Sequence, residues 1–133
     1  IKPGAADLLA YLTQHDIPVG LATSSDRRDA EAHLERAGML PHFKAMVTGE
    51  QVKQGKPDPE IYLTAAAALA VDPKDCLALE DSFSGVRSAR GAGMQCLMIP
   101  DLIQPTTEIR ALASGVLDSL DEVLQHLRLE RGR

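Results

Sequence analysis

Three short polar clusters in this chain carry residue types suited to handling a phosphate beside a divalent cation. Glu80-Asp81 places two carboxylates directly after the apolar run Cys76-Leu77-Ala78-Leu79. Adjacent carboxylates repel unless a proton or a cation relieves them. Magnesium suits such a pair, because it takes only one or two protein carboxylates and keeps water or phosphate in its other positions. The same acids, followed by Ser82, also suit a simple helix cap. Thr23-Ser24-Ser25 follows the apolar run Ile17-Pro-Val-Gly-Leu-Ala22 and precedes a polar helical stretch. Hydroxyls and open N–H groups at a helix start attract anions, and they also serve as caps. Lys56 stands between Gly55 and Pro57. The proline turns its neighbour away from helix and stiffens the loop, so the lysine either reaches inward as a fixed cation or remains a solvated loop residue. Each cluster has an ordinary structural reading, yet hydroxyls, a cation and paired acids at three successive strand ends together suit a phosphate and a metal.

The elements that position these clusters alternate along the chain. Apolar residues at helical spacing predict a helix over Ala5–Leu12, the apolar run Ile17–Ala22 reads as a short buried strand, and the polar stretch Asp26–Ala37 reads as a helix closed by Gly38. Phe43–Thr48 reads as a second strand. Asp58-Pro59-Glu60 starts a helix that runs to Leu69, with Asp58 as the expected N-cap and proline in the first turn. A third strand is predicted over Cys76–Leu79, a helix over Ser84–Ala92 and a fourth strand over Gln95–Ile99. After Pro105 come an expected helix to Leu112, a short strand at Val116-Leu117 and a helix over Leu120–Leu129. Strands alternating with helices of this length specify an α/β fold of Rossmann-like type, a parallel sheet with helices on both faces. The polar clusters then lie at the carboxyl ends of strands, where open α/β sheets bind ligands.

Composition sets outer bounds. A chain of 133 residues with 44% apolar and 25% charged residues has enough material for one globular core. The low aromatic share leaves Leu, Ala, Val and Ile to fill that core. A formal charge of −5 argues against nonspecific nucleic-acid binding, and no apolar stretch approaches the roughly 20 residues of a membrane span. Cys76 and Cys96 each fall in a strand pattern without metal-type spacing and are expected to be buried, reduced thiols, consistent with a cytoplasmic protein. His15, His33, His42 and His126 lack ligand spacing, and Arg27, Arg28, Arg87 and Arg90 read as solvent-facing.

Taken together, Leu21-Ala-Thr23-Ser24-Ser25, Gly55-Lys56-Pro57-Asp58-Pro59 and Leu79-Glu80-Asp81-Ser82-x-x-Gly85 resemble the second, third and fourth motifs of the haloacid dehalogenase-like hydrolases. The branch they resemble contains β-phosphoglucomutase and sugar-phosphate phosphatases. The resemblance implies that Thr23, with the backbone N–H of Ser24, binds the transferring phosphoryl group. It implies that Lys56 neutralises charge on the phosphate and nucleophile, and that Asp81 and Glu80 hold Mg2+, Asp81 most directly. Small phosphorylated metabolites are the implied substrates.

The family's first motif is an Asp-x-Asp pair on an N-terminal strand, its first Asp the nucleophile and its second the general acid and base. No Asp-x-Asp follows a strand here; Asp72-Pro-Lys-Asp75 and Asp118-Ser-Leu-Asp121 have the wrong spacing and context. The chain is therefore expected to be the C-terminal portion of a core domain, without nucleophile or cap and inactive alone. Its partner would be an N-terminal segment of the same protein. The family's first strand lies mid-sheet, so a slot is expected between the strands at 18–22 and 76–79. A non-catalytic phosphate-binding or assembly module is the alternative. A receiver-type signalling domain carries its acid pair on the first strand and its lysine on the last, an order this chain does not follow, and a true dehalogenase lacks the Glu-Asp pair.

Overall fold

A computed structural model describes residues 5–99, 115–116 and 123–125. Its elements are α1 (Ala5–Gln14), β1 (Gly20–Thr23), α2 (Arg27–Arg36), β2 (Ala45–Thr48), α3 (Glu60–Leu69), β3 (Leu77–Glu80), α4 (Phe83–Gly91), β4 (Gln95–Met98) and β5 (Gly115–Val116). Every strand pairing is parallel. The expected helix after Pro105 lies outside the described residues, as does most of the closing helix, of which 123–125 are helical.

Local chemistry explains where the elements depart from the expected bounds. β1 starts at Gly20 because the Ile17 N–H closes α1 by donating to Leu12 O, after Asp16 turns left-handed at φ 56, and Pro18 has no N–H to offer. Asp26 caps α2 as expected, its carboxylate accepting from Asp29 N, and Gly38 follows the helix at φ 72. Asp58 does not take the N-cap position of α3. Pro59 stands there, and the Asp58 carboxylate reaches past it to the Glu60 N–H at 3.0 Å, an Asx-type turn. Ser82 caps α4 by accepting from Gly85 N at 3.0 Å, so α4 begins at Phe83. β3 runs one residue further than expected and ends on Glu80 itself, in register with Met98.

Successive strand residues face opposite sides, and β4 makes both cores visible. Cys96 and Met98 join Val47, Ile61, Tyr62, Ala65, Ala66, Ala78, Val86 and Ala89 in one cluster, under α3 and α4. Leu97 and Ile99 join Leu8, Tyr11, Val123 and Leu124 in the other, under α1 and the helical residues 123–125. Helices thus cover both faces. The same alternation sends Ala78 and Glu80 toward α3 and α4 while Leu79 packs with the opposite cluster.

The strands form two separate ladders among the described residues, β1 with β2 and β3-β4-β5. Between them lies a cavity of about 950 Å³ bordered by Leu21, Ala22 and Thr23 on one side and Ala78, Leu79 and Glu80 on the other. The slot expected between these two strands is present.

Candidate active site

Lys56 joins the two half-sheets. Its Nζ donates to Glu80 Oε2 at 2.6 Å and to Ala22 O at 3.3 Å, so one ammonium spans the ends of β3 and β1. The pair is largely withdrawn from water, with side-chain exposures of 13% for Lys56 and 6% for Glu80. A buried ion pair is retained only when further hydrogen bonds satisfy its remaining valences. Here they do. Tyr62 OH donates to the same Glu80 oxygen, and Ser82 Oγ donates to Oε1 at 3.2 Å. The Lys56 ammonium also lies 5.4 Å from the centroid of the Tyr62 ring, within cation–π range. Burial, followed by the Glu80 charge, holds the Tyr62 phenol far above its ordinary value, so it serves as donor throughout.

Gly85 completes the enclosure. A Cβ at this position would lie 1.9 Å from Glu80 Oε1. The Glu-Asp-Ser-x-x-Gly pattern is thereby explained: glutamate enters from the strand, serine caps the helix, and the helix must lack a side chain where the carboxylate rests.

The loop carrying Lys56 is fixed from two helices. The Glu60 carboxylate accepts from Lys53 N at 3.0 Å and Gln54 N at 2.9 Å, and these bonds lower its pKa from the ordinary 4.5. Ser88, fully buried in α4, donates to Asp58 O at 2.6 Å. Asp58 N donates back to Gly55 O at 3.0 Å, and the Lys56–Pro57 peptide is cis. The spacing of the motif residues did not reveal Glu60, Tyr62 or Ser88. The available signal was a polar atom in an otherwise apolar helix stripe, which needs a partner when buried.

The hydroxyl loop is held from β2. Gly49 lies so close that a Cβ there would be 2.8 Å from Ser24 O. The Arg27 N–H donates to Glu50 Oε1 at 2.8 Å, and its guanidinium reaches Met46 O at 2.8 Å and Gln51 Oε1 at 3.0 Å. Arg27, expected to be solvent-facing, instead ties α2 to the end of β2, although it stays exposed. Arg90 is exposed and donates to Met94 O, closing the end of α4. Thr23 is half-buried, and its Oγ1 accepts from Ser25 N at 3.2 Å, while Ser24 is exposed. Because Asp26 caps α2, neither hydroxyl is used as that helix's cap.

Asp81 follows Glu80 and is exposed at the strand end, and the cap of α4 is Ser82. Among the described residues no group of three or more His, Cys, Asp or Glu side chains is arranged to hold a metal ion. Asp81 offers a hard oxygen at the open end of the sheet and fits a magnesium site completed by phosphate and water. Glu80 stands directly behind it with both oxygens engaged. Of the two thiols, Cys96 is buried, and burial followed by the Glu80 charge pushes it up to about 12. Cys76 is only half-buried, because β3 begins after it and its Sγ turns back to Asp72 O at 3.5 Å.

A family model of haloacid dehalogenase-like hydrolases matches residues 1–93. The chain belongs to that family. This haloacid dehalogenase-like chain is 45% identical over 94 residues to β-phosphoglucomutase of Bacillus subtilis, covering 71% of this chain and 41% of that protein. It is 43% identical over 94 residues to a phosphorylated carbohydrates phosphatase of Thermotoga maritima, covering 71% of this chain and 44% of the relative. The crystal structure of CbbY from Rhodobacter sphaeroides in complex with phosphate superposes with a TM-score of 0.84 at 34% identity, over 92% of this chain and 55% of the other. The chain spans between a third and a half of the length of the first curated relatives it matches. No helix among the described residues is long and apolar enough to cross a membrane.

Proposed function

We propose that the whole protein carrying this chain performs magnesium-dependent phosphoryl transfer on a small phosphorylated metabolite, as a phosphatase or a phosphoglucomutase-like mutase, in the cytoplasm. The single observation that carries the reading is the Lys56 ammonium, held between Glu80 Oε2 and Ala22 O and so spanning the ends of β3 and β1. Phosphoryl transfer depends mainly on positioning and on stabilising charge, and a preorganised, partly desolvated cation supplies both.

In this reading Thr23 Oγ and the Ser24 N–H bind the phosphoryl oxygens, and Lys56 neutralises their charge. Asp81, with Glu80 behind it, holds Mg2+, which when bound offsets the negative charge shared by phosphate and carboxylates. The nucleophilic Asp and the general acid come from an N-terminal segment of the same protein. The cavity between β1 and β3, with a strand bordering each side, supports a further parallel strand there. The chain by itself is then inactive. Similarity to a phosphorylated carbohydrates phosphatase and to a β-phosphoglucomutase supports a sugar-phosphate substrate. The Glu80-Asp81 pair favours phosphate over halide.

The test is phosphate-ester turnover by the whole protein with and without magnesium. The expected outcome is a metal-dependent rate abolished by Asp81→Asn and lowered at least about 100-fold by Lys56→Ala, the scale of one transition-state charge contact. Full activity in EDTA, or in either variant, would sink the reading. Phosphate binding without turnover would favour a non-catalytic phosphate-binding or assembly module.

A further inference from the structure

We propose that Tyr62 is a positioning residue of this site: its hydroxyl shares one oxygen of Glu80 with Lys56, which limits the pull of that carboxylate on the ammonium and so aims the lysine, a role that presupposes the phosphoryl-transfer reading of Lys56. Tyr62 sits in the first turn of α3, buried with Ile61, Ala65 and Ala66. A phenylalanine would fill that apolar space equally well. The hydroxyl must therefore be accounted for separately, and it donates to Glu80 Oε2, the oxygen that also receives Lys56 Nζ. The ring lies 5.4 Å from the same ammonium. One side chain thus touches both members of the pair.

The consequence follows from counting donors. An ammonium has three. Among the described residues Lys56 spends two, on Ala22 O and Glu80 Oε2, which leaves the third for an anion at the strand ends. Glu80 is held by donors on both oxygens and by Gly85 against Oε1, so its carboxylate cannot swing. Without the Tyr62 hydroxyl, Oε2 keeps Lys56 as its only strong donor. The ammonium is then drawn further toward Glu80 and away from the phosphate. That loss falls on the rate and leaves the apolar packing of α3 intact.

The experiment compares wild type, Tyr62→Phe, Lys56→Ala and the double variant of the whole protein, using p-nitrophenyl phosphate with magnesium. Tyr62→Phe is expected to lower kcat about 3–10-fold, the scale of one hydrogen bond, with KM changed less than about twofold. Adding Tyr62→Phe to Lys56→Ala is expected to cost nothing further, because the residue it acts through is gone. Equal losses in both backgrounds, or an unchanged kcat, would overturn the proposal. A second arm needs no turnover. The ammonium 1H–15N resonance of Lys56, assigned by its loss in Lys56→Ala, is expected to shift in Tyr62→Phe, and an unmoved resonance would overturn the proposal. A resonance shifted by Tyr62→Phe, together with a wild-type protein that turns over no phosphate ester, would sink the phosphoryl-transfer reading while upholding Tyr62 as the residue that sets Lys56.

Discussion

Glu80 receives three donors on two oxygens inside a nearly closed site, and two of its neighbours make direct tests possible. Removing one member of a buried ion pair strands the other charge, at a cost of about 3–5 kcal/mol. Lys56→Met and Glu80→Gln are each expected to lose stability on that scale in urea unfolding. The double variant is expected to lose less than the sum, because the stranded charge is gone. Strict additivity would show that the pair does not interact as drawn. Gly85→Ala places a methyl where Oε1 now lies, so something must move. The expected loss is about 1–3 kcal/mol by the same measurement, the range for overpacking. It should shrink in a Glu80→Ala background, and an unchanged unfolding midpoint for Gly85→Ala alone would contradict the packing described.

At the scale of elements, the third-motif loop is shaped chiefly by α3 and α4. Glu60 clamps the Lys53 and Gln54 N–H groups, and Ser88 holds Asp58 O. The Glu60 carboxyl is lowered from its ordinary 4.5 by those two backbone bonds. Ionised Glu60 therefore favours the folded loop above about pH 4.5, and that contribution is lost as pH falls through the lowered value. The amide shifts of Lys53 and Gln54 are expected to titrate together with a midpoint below 4.5. Glu60→Gln should abolish the transition while keeping an acceptor in place. A midpoint above 4.5 would contradict the hydrogen bonds as the cause. Element boundaries in the sequence were legible where a capping residue marked them, as at Asp26 and Gly38. They shifted where a backbone donor had a second use, as at Ile17, or where a side chain reached past its neighbour, as at Asp58.

At the scale of the whole molecule, among the described residues the two half-sheets are joined by the packing beneath α3 and α4 and by the Lys56 ammonium, with no ladder of backbone bonds between β1 and β3. On the proposed reading, in which an N-terminal segment supplies a further strand, the amides of β1 and β3 that face the cavity between them are expected to exchange with solvent faster in the 133-residue chain than in a protein that includes that segment. Amides of β3 engaged with β4 should be protected in both. Equal protection of the cavity-facing amides in the isolated chain would argue against a further strand in that place.

The alternation of apolar runs by itself determined the parallel α/β architecture. Burying a strand on both faces demands a continuous apolar run, and connecting parallel strands demands a helix. The three motifs also put Thr23, Lys56 and Asp81 after three successive predicted strands, Thr23 and Asp81 close to the strand ends and Lys56 on the loop eight residues beyond Thr48. What the sequence left open was how Glu80 is used. Side-chain alternation turns it inward once β3 extends to include it, beside Ser82 and Gly85 of its own motif, and only the packing of α3 and of the Lys56 loop on that face brings Tyr62 and Lys56 to it. Those contacts span 18 residues in the case of Tyr62 and 24 in the case of Lys56. No local spacing encodes them, and they decide that the glutamate of the acid pair is a buried partner of the lysine while the aspartate stands at the open end.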